Sequence, residues 1–149
     1  MRIRMSPIPM YRFYRRLYVR GVPKIPWWIY RLHRMIYACE INPAADLGPD
    51  CRVPHSVGLV IGPEVRTGRG CYLGQNVTLG YRYPGPERPR PGDGNPVLGD
   101  HVTVGAGAVV LGPVYLGDGA LIGANSVVTR DVPAGHVAVG VPATIRPRK

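Results

Sequence analysis

Long apolar runs are missing from this chain of 149 residues. No stretch of about 18 apolar residues occurs, so no segment is expected to cross a membrane as a helix. Arg interrupts every apolar run near the N-terminus, so no secretory leader is expected. Cysteine is scarce: Cys39, Cys51 and Cys71 form an odd set without framework spacing. That excludes a disulfide scaffold and points to free thiols in a reducing compartment. Phe occurs once, so the core has to come from Val, Ile, Leu and Ala. Acid is short at one end. Residues 1–40 hold nine Lys/Arg and one acid, whereas residues 41–149 hold ten Lys/Arg and eight acids. The net charge of +10 is therefore a property of the N-terminal segment.

The middle of the chain also lacks the periods of an amphipathic helix or a flat strand. Its period is six. Ile41, Leu47, Val53, Leu59, Val65, Cys71 and Val77 are apolar, and the spacing returns at Leu98, Val104, Val110, Leu116, Ile122 and Val128. Gly directly follows an aliphatic residue at Gly48, Gly62, Gly74, Gly80, Gly99, Gly105, Gly117 and Gly123. A run of hairpins would alternate every second residue and turn at irregular intervals. A chain that turns a corner every six residues fits instead, three short strands making one triangular coil. Cys51 and Cys71 then fall at inward positions. The pattern slips by two residues between Val53 and Ile61, and His55 lies inside the slip. Departures from a regular pattern are where function or strain is expected.

Residues 1–9 contain two Pro and are expected to be loose. Met10, Phe13, Tyr14, Leu17 and Tyr18 have helical spacing, and Gly21 and Pro23 end that helix. Pro26 can open a second helix whose apolar stripe is Trp28, Leu32, Met35, Ile36 and Cys39. Together residues 1–40 form a basic amphipathic helical segment expected to cap the raw end of the solenoid. Contact with an anionic membrane surface is a further option, since Arg, Trp and Tyr suit such an interface. Nucleic acid is not expected as a partner, because no recognised binding module accompanies the basic residues. Residues 81–96, rich in Pro and Gly, interrupt the repeat and read as a functional loop. Residues 41–143 form the repeat domain, and 144–149 a basic tail.

The ordered motifs resemble those of the hexapeptide-repeat acyltransferases, within them the serine acetyltransferase branch. They are Ile41-Asn42-Pro43-Ala44-Ala45, the His55 segment ending in Val60-Ile61-Gly62-Pro63-Glu64, and Val77-Thr78-Leu79-Gly80. Gly105-Ala106-Gly107-Ala108, Gly123-Ala124-Asn125-Ser126-Val127-Val128 and Val139-Gly140-Val141-Pro142-Ala143 continue the set. The resemblance implies an all-β solenoid, a left-handed parallel β-helix. It also implies a homotrimer with active sites between subunits, and acetyl-CoA as co-substrate. His55 matches the family's catalytic general base, and Glu40 falls where the family carries an Asp that orients that His. Gly80, Gly105, Ala106, Gly123 and Ala124 match the backbone-lined CoA site, and Arg146, Arg148 and Lys149 are candidates for the CoA phosphates. No metal is expected, since His101 and His136 lack zinc-site spacing around His55.

Three departures bear on the acceptor. Pro54 replaces the Asp before the catalytic His, and Gly94-Asn95-Pro96 replaces an Arg-His-Pro run. The segment ahead of the repeat is also short. Asn95 can still hydrogen-bond an acceptor hydroxyl. These departures resemble the branch found with exopolysaccharide and colanic-acid synthesis, and favour a sugar or polysaccharide hydroxyl as acceptor. Serine O-acetylation in cysteine biosynthesis is the alternative. A non-catalytic solenoid scaffold or a membrane-recruited binding module is the further one. The expected location is cytoplasmic, with the inner face of the membrane as an option.

Overall fold

The period of six becomes a coil of three short strands per turn in a computed structural model that describes residues 6–82 and 94–148. Strands are numbered in chain order. The first sheet stacks β1 (Glu40–Ile41), β3 (Val60–Ile61), β6 (Thr78–Tyr81), β9 (Val109–Gly112) and β12 (Val127–Val128). The second stacks β2 (Asp46–Leu47), β4 (Arg66–Thr67), β7 (Val97–Leu98) and β10 (Tyr115–Leu116). The third stacks β5 (Tyr72–Leu73), β8 (Thr103–Val104), β11 (Leu121–Ile122), β13 (His136–Gly140) and β14 (Ala143–Pro147). Pairing between coils is parallel throughout, with Ile41 over Ile61, Ile61 over Leu79 and Val110 over Val128.

All thirteen positions of the six-residue pattern are buried, none more than 3% exposed. Fully burying such a side chain is worth about 1.5–3 kcal/mol, so the aliphatic stack is the main source of stability. Cys51 and Cys71 belong to the same stack. Burial pushes the Cys51 thiol up to about 12 and raises that of Cys71, so both behave as small core residues. The corners hold the coils close. A Cβ on Gly105 would lie 2.7 Å from the Ala124 nitrogen of the next coil, so only Gly fits there.

The N-terminal helices α1 (Ile8–Val19) and α2 (Ile25–Tyr37) cover the exposed edge of the first coil. Strands β1 and β2 have no coil before them, so their outward carbonyls need other donors. The Tyr11 hydroxyl donates to Ala45 O at 2.8 Å and the Tyr14 hydroxyl to Ile41 O at 2.6 Å. Arg12 and Arg15 donate to Gly48 O and Pro43 O, and Arg15 also pairs with Asp46 at 2.9 Å.

Four expectations are corrected. α1 begins at Ile8 rather than after a loose stretch, because Pro9 is tolerated in a first helical turn. The expected stripe of α2 faces outward over the helix: Trp28, Leu32, Met35 and Ile36 are exposed, and Pro26, Tyr30 and His33 are buried instead; its last member, Cys39, lies past the helix end and is buried. Tyr81, assigned to the interrupting loop, is the last residue of β6 and pairs with Gly112; residues 83–93 of that loop lie outside the described residues. The basic tail is not a tail. Residues 143–147 turn back as β14, antiparallel to β13, with His136 opposite Pro147.

Candidate active site

The two-residue slip is a real enlargement of one corner. Ile61 follows its partner Ile41 by twenty residues, whereas Leu79 follows Ile61 and Val128 follows Val110 by eighteen. The extra residues lie between Arg52, which bridges to Tyr72 in the third sheet, and β3 in the first. His55 sits on this corner, exposed, with no hydrogen-bond partner among the described residues; Pro54 beside it is exposed too. The backbone under the imidazole is pinned. Ser56 Oγ donates to Tyr37 O at 2.9 Å, Gly58 N to Ala38 O at 2.8 Å and Leu59 N to Ser56 O at 3.1 Å. Gly58 takes φ +72, a left-handed conformation that L side chains rarely adopt.

Glu40 belongs to the same end of the molecule. Its backbone N–H donates to Leu59 O at 2.7 Å, which ties β1 to the chain leaving the His55 corner. Its carboxylate is engaged by α2: Arg34 pairs with it at 3.3 Å. Burial, and then a hydrogen bond to Glu40, pushes the Tyr30 phenol well above its ordinary range. No hydrogen bond joins Glu40 to His55 among the described residues. Arg34, Tyr30 and Ser56 were not singled out from the sequence. The spacing of Tyr30, Arg34 and Tyr37 on α2 is the sequence signal that could have pointed to them.

The residues matched to the CoA site divide between two corners. Gly105 and Ala106 follow β8, and Gly123 and Ala124 follow β11, all at the corner from the third sheet to the first. They stack on one another. Gly105 N donates to Ile122 O at 2.8 Å, and a Cβ on Gly74 would meet Ala106 N at 2.8 Å. This is the corner type that carries His55. Gly80 lies within β6, the central strand of the first sheet, on the side that leads to the second sheet, and a Cβ there would meet nothing within 4 Å. Asn95 is also on that far side, between β6 and β7. Its Oδ1 is buried without a hydrogen-bond partner among the described residues and lies 3.3 Å from where a Gly62 Cβ would be. Arg146 and Arg148 are exposed on and after β14; Lys149 lies outside the described residues. Among the described residues no three His, Cys, Asp or Glu side chains gather to hold a metal ion.

The repeat and its corners define the class. The family described as Bacterial transferase hexapeptide (six repeats) matches residues 95–130. The chain is 40% identical over 129 residues to the serine acetyltransferase of Synechococcus elongatus, covering 87% of this chain and 51% of that protein. It is 39% identical over 133 residues to the serine acetyltransferase of Helicobacter pylori, covering 89% of this chain and 75% of that one. The solved serine acetyltransferase of Neisseria gonorrhoeae superposes with a TM-score of 0.88 at 36% identity, over 95% of this chain and 54% of that one. The coil is thus the left-handed parallel β-helix with a short helical N-terminal segment. The chain belongs to the serine acetyltransferase family. It spans about half the length of the Synechococcus and Neisseria proteins.

These relatives overturn the sugar or polysaccharide acceptor expected from the sequence. Relatives at 38–44% identity and the solved neighbours are serine acetyltransferases. The substituted positions Pro54, Gly94 and Asn95 do not name an acceptor, because losing a charged side chain removes one attraction without building a site for a sugar. The length ahead of the repeat carries no weight, because three quarters of the Helicobacter protein is covered.

Proposed function

We propose that the chain is a serine O-acetyltransferase that moves an acetyl group from acetyl-CoA to the hydroxyl of L-serine. The observation that carries this is the exposed His55 on the corner enlarged by two residues, in line with stacked small residues at the same corner of later coils. His55 takes the proton from the serine hydroxyl as that oxygen attacks the thioester carbonyl. The tetrahedral intermediate collapses by expelling the thiolate of CoA, which recovers the proton from the imidazolium. O-acetylserine and CoA leave, and atoms and charge balance with no metal in the step.

The pantetheine arm is assigned to the corner of Gly105, Ala106, Gly123 and Ala124, where small side chains leave backbone groups within reach. Solved neighbours in complex with CoA and with serine support these two ligands. Glu40 is assigned the orienting carboxylate, held in readiness by Arg34 and Tyr30. Asn95 is assigned to the acceptor: its free Oδ1 can accept from an ammonium and its amide can donate to a carboxylate. Pro54 leaves the acceptor without the charge that an Asp would give it.

His55 and Asn95 flank opposite edges of the first sheet. We infer that the complete site takes Asn95 from a neighbouring subunit, because His55 lies at the third-to-first-sheet corner and Asn95 at the first-to-second-sheet corner. This supports a homotrimer with active sites between subunits. The exposed pair Val97 and Tyr115, adjacent in the second sheet, offers apolar surface for such contacts. The test is thiol release from acetyl-CoA with and without L-serine, with the product identified by mass spectrometry. Serine-dependent release yielding O-acetylserine is expected. Release no faster than thioester hydrolysis would overturn the reading.

A further inference from the structure

We propose that the outward face of α2 is an interfacial binding surface for an anionic lipid bilayer. The inference stands apart from acetyl transfer and rests on a part of the molecule that the reaction does not use. An amphipathic helix normally buries its apolar stripe. α2 does the reverse. Its inward side holds Pro26, Tyr30 and His33, while Ile25, Trp28, Leu32, Met35 and Ile36 are 53, 66, 49, 82 and 47% exposed. At about 100° per residue these five side chains fall within one third of the helix circumference. A contiguous exposed stripe of this kind marks an interaction surface.

Charge decides the occupant. Residues 6–39 contain no Asp or Glu. Lys24 and Arg31 line a shallow cleft together with Trp27 and Trp28, and the Arg31 guanidinium lies 5.2 Å above the Trp28 ring. Cations set beside an aliphatic and tryptophan stripe match a surface that offers phosphate and hydrocarbon at adjacent depths. A second copy of the chain is a poorer match. Its coil region has ten cations against eight acids and no acidic excess to meet these helices. In the bound state Lys24 and Arg31 meet lipid phosphates, and Trp28, Leu32, Met35 and Ile36 enter the acyl boundary. The His55 corner hangs from the C-terminal end of α2 through Tyr37 and Ala38, so docking holds that corner near the membrane surface.

The test titrates the full chain with vesicles of phosphatidylcholine, with and without phosphatidylserine, reading co-sedimentation and Trp emission. Binding with blue-shifted emission is expected on the anionic vesicles alone, and it should weaken as salt rises. The exposed double substitution Leu32→Gln/Met35→Gln should weaken partition about tenfold while leaving melting temperature and solution mass unchanged. Lys24→Gln/Arg31→Gln should weaken it and flatten the salt dependence. Equal binding to neutral vesicles, or no binding to either, would overturn the proposal. So would wild-type partition by the Leu32/Met35 variant. A change of solution mass in that variant with partition intact would assign the stripe to contacts between copies of the chain instead.

Discussion

Two kinds of corner turn this chain from the third sheet into the first, and they do opposite things. At Gly105–Gly107 and Gly123–Asn125 the chain turns within the regular spacing: Gly105 rests on the Ala124 backbone of the next coil, and Gly123 N donates to Ala138 O of the strand stacked on it. At Pro54–Gly58 the chain takes two residues more, and the result is an exposed histidine on a pinned loop. Regularity leaves no space for a reactive side chain, because neighbouring coils approach to contact distance. Chemistry needs a departure from the repeat, and binding of an extended ligand along the backbone needs the repeat itself. In the proposed function, one corner type supplies the base where it is irregular and the CoA groove where it is regular.

The sharpest way to break this contrast is at the irregular corner. His55→Ala should lower turnover about 10²–10⁴-fold, the usual contribution of a positioned general base. The melting temperature should not move, because His55 is exposed and unpartnered. Steady-state kinetics and a thermal melt check both.

At a regular corner the expectation inverts. Gly105→Val places a Cβ 2.7 Å from Ala124 N and 2.9 Å from Ile122 O, and backbone cannot step aside as a side chain would. Stability should fall by about 1–3 kcal/mol, read by denaturant unfolding, and affinity for CoA should fall with it.

Glu40→Gln tests whether the carboxylate serves the irregular corner. Turnover should fall about tenfold, less than for His55→Ala, because the amide still hydrogen-bonds but loses the charge that favours the imidazolium. Arg34→Met should shift the pH dependence of kcat/KM by releasing Glu40 from its ion pair. If neither variant moves the profile, Glu40 merely ties α2 to β1.

The smallest effect belongs to the helical hairpin. Burial lowers the pKa of His33, whose Nε2 donates to Pro7 O at 3.1 Å. A depressed folded pKa means that the unfolded chain takes up the proton first. The contribution of neutral His33 is therefore complete above about pH 6.5 and is lost as pH falls below it. Melting temperature should decline over that range, and His33→Phe should flatten the decline.

Much of the solenoid was legible because every sixth side chain has only one place to go. All thirteen predicted positions point inward, and the slip around His55 is the enlarged corner. The helices were legible as helices, but the rotation of α2 was not. An apolar stripe gives a face, not what covers it. The first coil has free carbonyls, so the inward side of the hairpin needed hydroxyl donors, and Tyr11 and Tyr14 took it. The end of the chain was misjudged for a related reason. Val139-Gly140-Val141-Pro142-Ala143 does leave the repeat, but as the turn of a hairpin that pairs the last strand. The partners of Glu40 were hidden because Arg34 and Tyr30 meet it only once α2 is docked. The acceptor was misread because three substituted side chains were weighed above the likeness of the whole chain.

The most direct test of the division between irregular and regular corners measures turnover and CoA affinity in one variant. Calorimetric titration of CoA into His55→Ala, beside its rate of acetyl transfer to L-serine, separates the two. Affinity within about threefold of wild type, with turnover lost, is the predicted result. Affinity that falls in step with turnover, or turnover that stays near wild type, would contradict it.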